Sequence, residues 1–330
     1  MTKSLDKESV ARKNLLRKGF ETQGISIKGY DFDEGVDYGG IINSFSTTGF
    51  QASLLAKAIG ITNNMIRDKA FIYLGYTSNM VSSGLRDVFR YLVKNKKVNI
   101  VVTTAGGIEE DIIKCMGDFT LGDFRASGSD LRDKGINRIG NIFVSNTRYV
   151  EFEKFFKVIL EEAYQEQKKT GKVITSSELI WKLGEKINDE RSICYWAWKN
   201  KIKVFCPAIT DGAIGDNIWF FKYQSPDFVL DIAEDIKQMN DSVFGHEKVG
   251  AVILGSGVVK HQILNANMMR NGLDYAVYIN NSQEFDGSDA GALPDEAVSW
   301  GKILPKAESV KVFGDATILF PLLVAETFAK

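Results

Sequence analysis

Short apolar runs recur along the chain. Each ends in Gly, Ser, Thr or Asp, and each is followed by residues at helical spacing. Phe71–Gly75 runs into YTSNMVSSG, Val98–Thr103 into TAGGIEED, and Ile202–Phe205 into CPAITDGAIGD. Val249–Leu254 runs into GSGVVKHQILNANMMRNG, Tyr275–Asn280 into NSQEFDGSDAGALPDE, and Val310–Phe313 into GDATILFPLLVAETF. Asn141–Ser145 is a weaker case of the same pattern. β-branched strands alternating with helices predict an α/β protein: a doubly wound, mostly parallel, Rossmann-like sheet with helices on both faces.

Residues 151–200 interrupt the rhythm. Glu151–Lys168 is a long, charge-rich helical pattern, and Thr175 with Glu178 forms a T-x-x-E capping box before a second helix. This reads as a helical excursion within a single domain spanning 27–330. Residues 1–26 read as a basic N-terminal helix and extension. Residues 1–18 hold six bases against two acids, with Leu5, Val10, Leu15 and Leu16 as a loose apolar stripe closed by Gly19. A glycine-rich connection follows, then a helix near Phe50–Ile59.

Composition narrows the function classes. A chain of 330 residues with 44% hydrophobic residues has apolar surface to bury throughout, so disorder is excluded. Lys+Arg 41 against Asp+Glu 42 leaves no global basic field, which argues against nucleic acid. The cysteines number three, lie far apart and form no C-x-x-C, so neither a disulfide framework nor a metal site is expected. There is no apolar stretch of about 18 residues and no apolar leader, so no membrane association and a cytoplasmic location are expected.

In an open parallel sheet, ligands bind beyond the carboxyl ends of the strands. The loops there are rich in small residues that leave backbone N–H groups free for phosphate, which favours a nucleotide cofactor. GSGVVK matches only the first half of G-x-G-x-x-G, and ordinary strand-to-helix turns have the same composition. The segment between Arg270 and Lys302 stands out: six acids (Asp274, Glu284, Asp286, Asp289, Asp295, Glu296), no Lys, Arg or His, then Trp300 and Lys302. Carboxylates with an aromatic wall suit a flexible polycation. Lys302 is a candidate Schiff-base nucleophile if burial keeps its amine neutral, and otherwise an ordinary salt-bridged lysine. His261, at the start of a helical pattern, suits a general base or a helix-end structural role.

The longer words are more specific. NANMMRNGLDYAVYINNSQEFDGSDAGALPDEAVSWGK, YLGYTSNMVSSGLRD, VVTTAGGIEEDIIKC, GINRIGN, PAITDGAIGD, FPLLVAETFA and KGYDFDEGVDYGGIINSFSTTGFQA together resemble the deoxyhypusine synthase family, from about Ile27 to the C-terminus. The resemblance implies NAD as cofactor and spermidine as substrate. Spermidine is oxidised beside its secondary amine and cleaved by a lysine with release of 1,3-diaminopropane. The aminobutyl group then passes to one lysine of the translation factor 5A precursor, giving deoxyhypusine. The family's nucleophile falls on Lys302 and its catalytic histidine on His261. Its NAD contacts fall on Ser78, Asn79, Met80, Val81, Ser82, Thr104, Ala105, Gly106, Glu110, Asp211, Ser256, Asn281, Ser282, Asp315 and Ala316. Its spermidine contacts fall on Glu110, with Glu109 beside it, and on Asp216, His261, Asn265, Gly287, Ser288, Asp289, Glu296, Trp300 and Lys302.

The resemblance also implies a homotetramer, a dimer of dimers with sites at the interface of two chains, and an N-terminal helix that can cover a neighbour's site. Ser256 stands where the family often has Gly, Gln262 where it often has a second His, and Asn281-Ser282 where it often has Thr-Ala. Three other readings compete: transfer to putrescine in the manner of homospermidine synthase, a non-catalytic subunit activating a paralogue, and a generic NAD-dependent dehydrogenase.

Overall fold

The structure, a computed structural model, describes residues 6–330. The main sheet has six strands: β1 (Phe71–Tyr76), β2 (Ile100–Thr103), β3 (Lys203–Phe205), β4 (Val249–Leu254), β5 (Leu273–Asn280) and β6 (Ile303–Phe313). All their pairings are parallel, in the order β6-β5-β4-β1-β2-β3. This is the doubly wound arrangement, with winding reversing between β1 and β4. The strands read as near-continuous apolar runs because both faces are covered: β4 and β5 are buried along their whole length. Alternation still divides the side chains. Ile72, Leu74 and Tyr76 join one core with the helices Phe50–Arg67, Leu85–Lys94, Ala105–Met116 and Ala316–Glu326. Tyr73 joins the other, with Met239, Val259, Ile263 and Ala297.

The carboxyl edge is level. Tyr76 lies opposite both Thr103 and Leu254, Ile279 opposite Leu254, and Asn280 opposite Phe313. The loops beyond these residues therefore open onto one rim.

Three expectations change. Asn141–Ser145 does not join the main sheet: Ile142–Ser145 pairs antiparallel with Ile136–Ile139 across a Gly140-Asn141 hairpin, and with Thr120–Leu121. Ile142 and Phe143 are only half-buried, which suits a small one-sided sheet. β6 starts at Ile303, well before Val310. Pro305 and the exposed Lys306 and Glu308 disguise it, and they are tolerated because β6 is an edge strand. The helix near Phe50 runs on to Arg67 and is preceded by another, Tyr38–Thr48.

The first described helix, Lys7–Leu15, stops short of Gly19, is capped by the Asp6 side chain and buries no residue. The expected contributions of Lys3 and Leu5 lie outside the described residues. Helices Asn146–Thr170, Ser176–Ile187 and Ile193–Asn200 occupy the stretch that interrupts the strand rhythm. The capping box forms: the Glu178 amide donates to Thr175 Oγ1 at 3.2 Å and the Thr175 amide donates to the Glu178 carboxylate at 3.1 Å. Buried Asp111 ties this excursion to the helix Ala105–Met116. It accepts from Ser192 Oγ at 2.6 Å, from the Ile193 and Cys194 amides at 3.0 Å, and from Arg86 Nε at 2.8 Å. No helix among the described residues is long and apolar enough to cross a membrane.

Candidate functional site

The rim carries the small-residue loops. Thr77–Ser82 leaves β1, Thr104–Gly106 leaves β2, and Asp211 lies in the loop beyond β3. Gly255–Gly257 leaves β4, Asn281–Ser282 leaves β5, and Gly314–Ala316 leaves β6. The loops are stitched together. The Ser78 amide donates to Thr104 Oγ1 at 3.0 Å, Asn280 Nδ2 donates to the Gly255 carbonyl at 3.2 Å, and the Ser282 amide donates to Asn280 Oδ1 at 3.0 Å. Ser256 Oγ lies 3.4 Å from Ser282 Oγ, so two departures from the family pattern face each other.

The crevice between the β1 and β4 loops is the topological switch point, where doubly wound sheets take their ligands. Glycine is required here. At Gly255, φ is +74° and a Cβ would stand 2.5 Å from Thr77 Oγ1; at Gly106 a Cβ would stand 2.7 Å from the Ser78 Cβ. The helices starting at Ala105 and Val258 have no side-chain cap, which leaves their first N–H groups for an anion. A dinucleotide's phosphates fit these residues. Asp315 differs: its carboxylate caps its own helix, accepting from the Thr317 amide at 2.8 Å. Met80, Val81 and Ser82 are buried behind the crevice and Asn79 is exposed.

Glu109 and Glu110 lie side by side in the helix after β2, both buried, but they face different ways. Glu109 accepts from the Ile214 amide at 2.9 Å and lines an open cleft of about 560 Å³ with Tyr149, Asp216 and Phe220. Burial raises its pKa, and Asp216 and Asp211 add to the rise. Glu110 turns toward the β1 loop, where Ser82 Oγ donates to it. Burial pushes its carboxyl up to about 7 despite that bond, and the Glu109 charge contributes.

Lys114, one turn further, was invisible to pattern reading. Its ammonium donates to the carbonyls of Val81, Ser82 and Ser83 at 2.7, 2.6 and 2.9 Å, and burial lowers its pKa to about 8. The i+4 spacing from Glu110 was the available signal.

The lysine side of the site is built differently. The acidic loop leaves the carboxyl edge as expected, but Lys302 does not. A short helix, Pro294–Ser299, carries the chain back so that β6 can start parallel to β5, and the Leu273 amide donates to the Lys302 carbonyl at 3.0 Å. Lys302 is buried, with its ammonium 5.4 Å from the centre of the exposed Trp300 ring. Buried Lys260 feels the charges of Asp289, Glu296 and Lys302, and its pKa falls to about 8, chiefly through burial. His261 follows it, exposed on the first turn of the helix Val258–Met268, and Asn265 is half-buried one turn later. Gly287 and Ser288 form an exposed loop tip, and Asp289 Oδ2 is buried without a hydrogen-bond partner.

The two groups lie at opposite edges of the sheet. Asp211 and Asp216 follow β3, one edge strand, while Trp300 and Lys302 precede β6, the other. Five strand spacings separate these edges, roughly 24 Å. A small triamine does not bridge that distance within one chain. Among the described residues, no group of three or more His, Cys, Asp and Glu side chains suits a metal ion.

These features define a doubly wound α/β protein with a glycine-rich rim of uncapped helix starts and two polar half-sites. The family model described as deoxyhypusine synthase matches residues 40–327. Deoxyhypusine synthases from Senecio vernalis and Arabidopsis thaliana are each 50% identical, over 92% of this chain and 89% and 90% of theirs. A crystal structure assigned as a deoxyhypusine synthase from Entamoeba histolytica superposes with a TM-score of 0.69. It is 37% identical, covering 92% of this chain and 97% of that one. The chain belongs to the deoxyhypusine synthase family, whose members are transferases.

Proposed function

We propose that the chain moves the aminobutyl group of spermidine to one lysine of the translation factor 5A precursor, in a site shared between two copies of itself. What carries the shared site is the separation of the acid half and the lysine half across the whole sheet. Aromatic exposure supports the same reading. Trp219, Phe220 and Tyr223 are 56%, 55% and 75% exposed beside Asp216, and Trp300 is 63% exposed beside Lys302. Exposed aromatic clusters beside polar sites are typical of interfaces. A C2 pair of chains would set each acid half against a second copy's lysine half, and two pairs would make the homotetramer.

The cofactor is NAD, held by the rim loops from Ser78, Thr104, Ser256, Asn281 and Asp315. When bound it supplies the hydride acceptor for the amine and later the hydride donor. The chain's residues do the rest. Glu109, Glu110, Asp216, Asp289 and Glu296 hold ammonium groups, and Trp300 covers methylenes. The Lys302 amine adds to the oxidised carbon; the bond to 1,3-diaminopropane breaks as its nitrogen takes a proton, and the aminobutyl group remains as an imine on Lys302. His261 is the base beside the reacting nitrogen. The acceptor lysine displaces Lys302 by the same addition and elimination.

Residues 27–330 act as one catalytic unit. The extension 1–26 covers a neighbour's site mouth, in keeping with a helix, Lys7–Leu15, that buries nothing in its own chain. Free Cys115, Cys194 and Cys206 accord with a cytoplasmic location.

The test is an intact-mass spectrum after incubation with NAD and spermidine and reduction with borohydride. The expected result is an aminobutyl adduct on Lys302 that needs both compounds. No adduct on folded protein that binds NAD would refute the assignment.

A further inference from the structure

Asn281–Leu293 is the acidic loop beyond β5, and its own sequence contains no basic residue. The structure brings two buried ammonium groups to it from beneath. Lys260 is 1% exposed; its Nζ donates to the Asp289 carbonyl at 2.6 Å and to the Ala292 carbonyl at 2.8 Å. Lys311, on β6, is 4% exposed; its Nζ donates to the Ser282 carbonyl at 2.7 Å and to the Gly291 carbonyl at 2.6 Å. Each ammonium also lies over a ring, Lys260 over Tyr278 at 4.9 Å and Lys311 over Phe313 at 4.4 Å.

An ammonium has three donors, so two carbonyls and a ring account for each one. Neither lysine forms an ion pair with a loop carboxylate. The loop is therefore held by its backbone while its acids stay available. Asp289 shows the consequence: its backbone carbonyl is clamped, yet its Oδ2 is buried with no partner. A buried carboxylate oxygen in that state is open to a donor from outside the chain, and a ligand ammonium is one that matches its charge.

We propose that Lys260 and Lys311 are positioning residues that clamp the acidic loop in the shape that receives an oligoamine. They balance its charge through the backbone and leave Asp289 free for a ligand ammonium. The substrate class rests on the spermidine reading above; the clamp itself does not.

The test compares Lys311→Met, which keeps the stem but loses the donors, with Lys311→Arg, which restores them, and adds Lys260→Met. Amide exchange over residues 281–293 is read on the full-length protein without substrate. Spermidine KM, kcat and NAD affinity are read separately. Loss of the clamp should speed exchange in the loop at least tenfold and leave exchange in β1 and β4 unchanged. It should raise spermidine KM about tenfold, the scale of one broken charged hydrogen-bond set, with kcat and NAD affinity changed less than about threefold. Lys311→Arg should recover most of both effects. Unchanged loop exchange in folded Met variants would overturn the clamp, as would equal losses in spermidine and NAD binding. Wild-type protein that does not turn over spermidine would sink the substrate reading instead, and the exchange comparison would still decide the clamp.

Discussion

The proposed shared site makes a quantitative prediction about mixtures of impaired chains. Lys302→Ala removes the proposed nucleophile from one edge of the sheet, and Asp216→Ala removes an exposed carboxylate at the other, roughly 24 Å away. Neither change should disturb folding, because Asp216 is exposed and lysine-to-alanine at position 302 leaves no buried charge behind. Lys302→Ala alone should be inactive in transfer. Asp216→Ala loses one carboxylate–ammonium contact, worth about 1.5–3 kcal/mol, and so should keep about one-tenth to one-hundredth of wild-type kcat/KM. When the two are co-expressed, random pairing makes about half of the dimers hybrid. In a hybrid, one site inherits both changes and the other inherits neither. The mixture should recover about a quarter of wild-type activity. If each site were built within one chain, the mixture could reach only the mean of its parents, about one-twentieth. The assay is transfer of the labelled aminobutyl group from spermidine to the translation factor 5A precursor by purified mixed oligomer at equal chain concentration. Recovery at or below the parental mean would refute the two-chain site.

Two further outcomes follow from buried charge. Glu110 is raised from 4.5 to about 7 by burial, so the folded chain holds a proton that the unfolded chain has lost. Stability from this group is present below pH 4.5 and falls as pH rises to about 7; Glu110→Gln should therefore match wild type near pH 4.5 and exceed it by about 3 kcal/mol at pH 8 in ligand-free urea melts. A constant difference across that range would contradict the assignment. Arg86 pairs with Asp111 at 2.8 Å, with side chains 8% and 0% exposed, and Arg86→Met would strand a buried carboxylate. The expected loss is about 3 kcal/mol, the low end for a broken buried pair because Asp111 keeps its bonds to Ser192 and two amides. A thermal midpoint within a degree of wild type would contradict it.

The architecture was legible where strands were buried on both faces. β4 and β5 are unbroken apolar runs, and their loops are where the carboxyl-edge rule puts them. Legibility failed where chain geometry overrode local pattern. The first half of β6 was hidden because an edge strand tolerates Pro305 and exposed charge. Lys302 could not be assigned to an end of the sheet, because whether Pro294–Ser299 returns the chain to the amino side is decided by parallel pairing, not by the residues themselves. Lys114, Lys260 and Lys311 were missed for another reason. A lysine that bonds to carbonyls distant in sequence has the same local signature as a surface lysine.

The separation of the halves has an electrostatic logic. Among the described residues, Glu109 and Glu110 are buried without an ion pair, and so are Lys260, Lys302 and Lys311. The two sets would pair if one chain brought them together. A carboxylate salt-bridged to Lys302 would hold it as an ammonium, and an ammonium has no lone pair with which to attack carbon. Placing Glu109 and Glu110 at the far edge keeps those two carboxylates from pairing with Lys302 within the chain. Between two chains, a bound oligoamine can lie between them: its ammonium groups take the carboxylates, and the lysine amine is left free to react. In the proposed two-chain site the substrate's own charge would complete the site, and the half-site carboxyl that is raised to about 7 when alone would give up its proton as substrate enters. Spermidine binding near pH 6.5 should on this logic release protons, and the same carboxyl that weakens the free protein above neutral pH becomes a gain once the cation is bound.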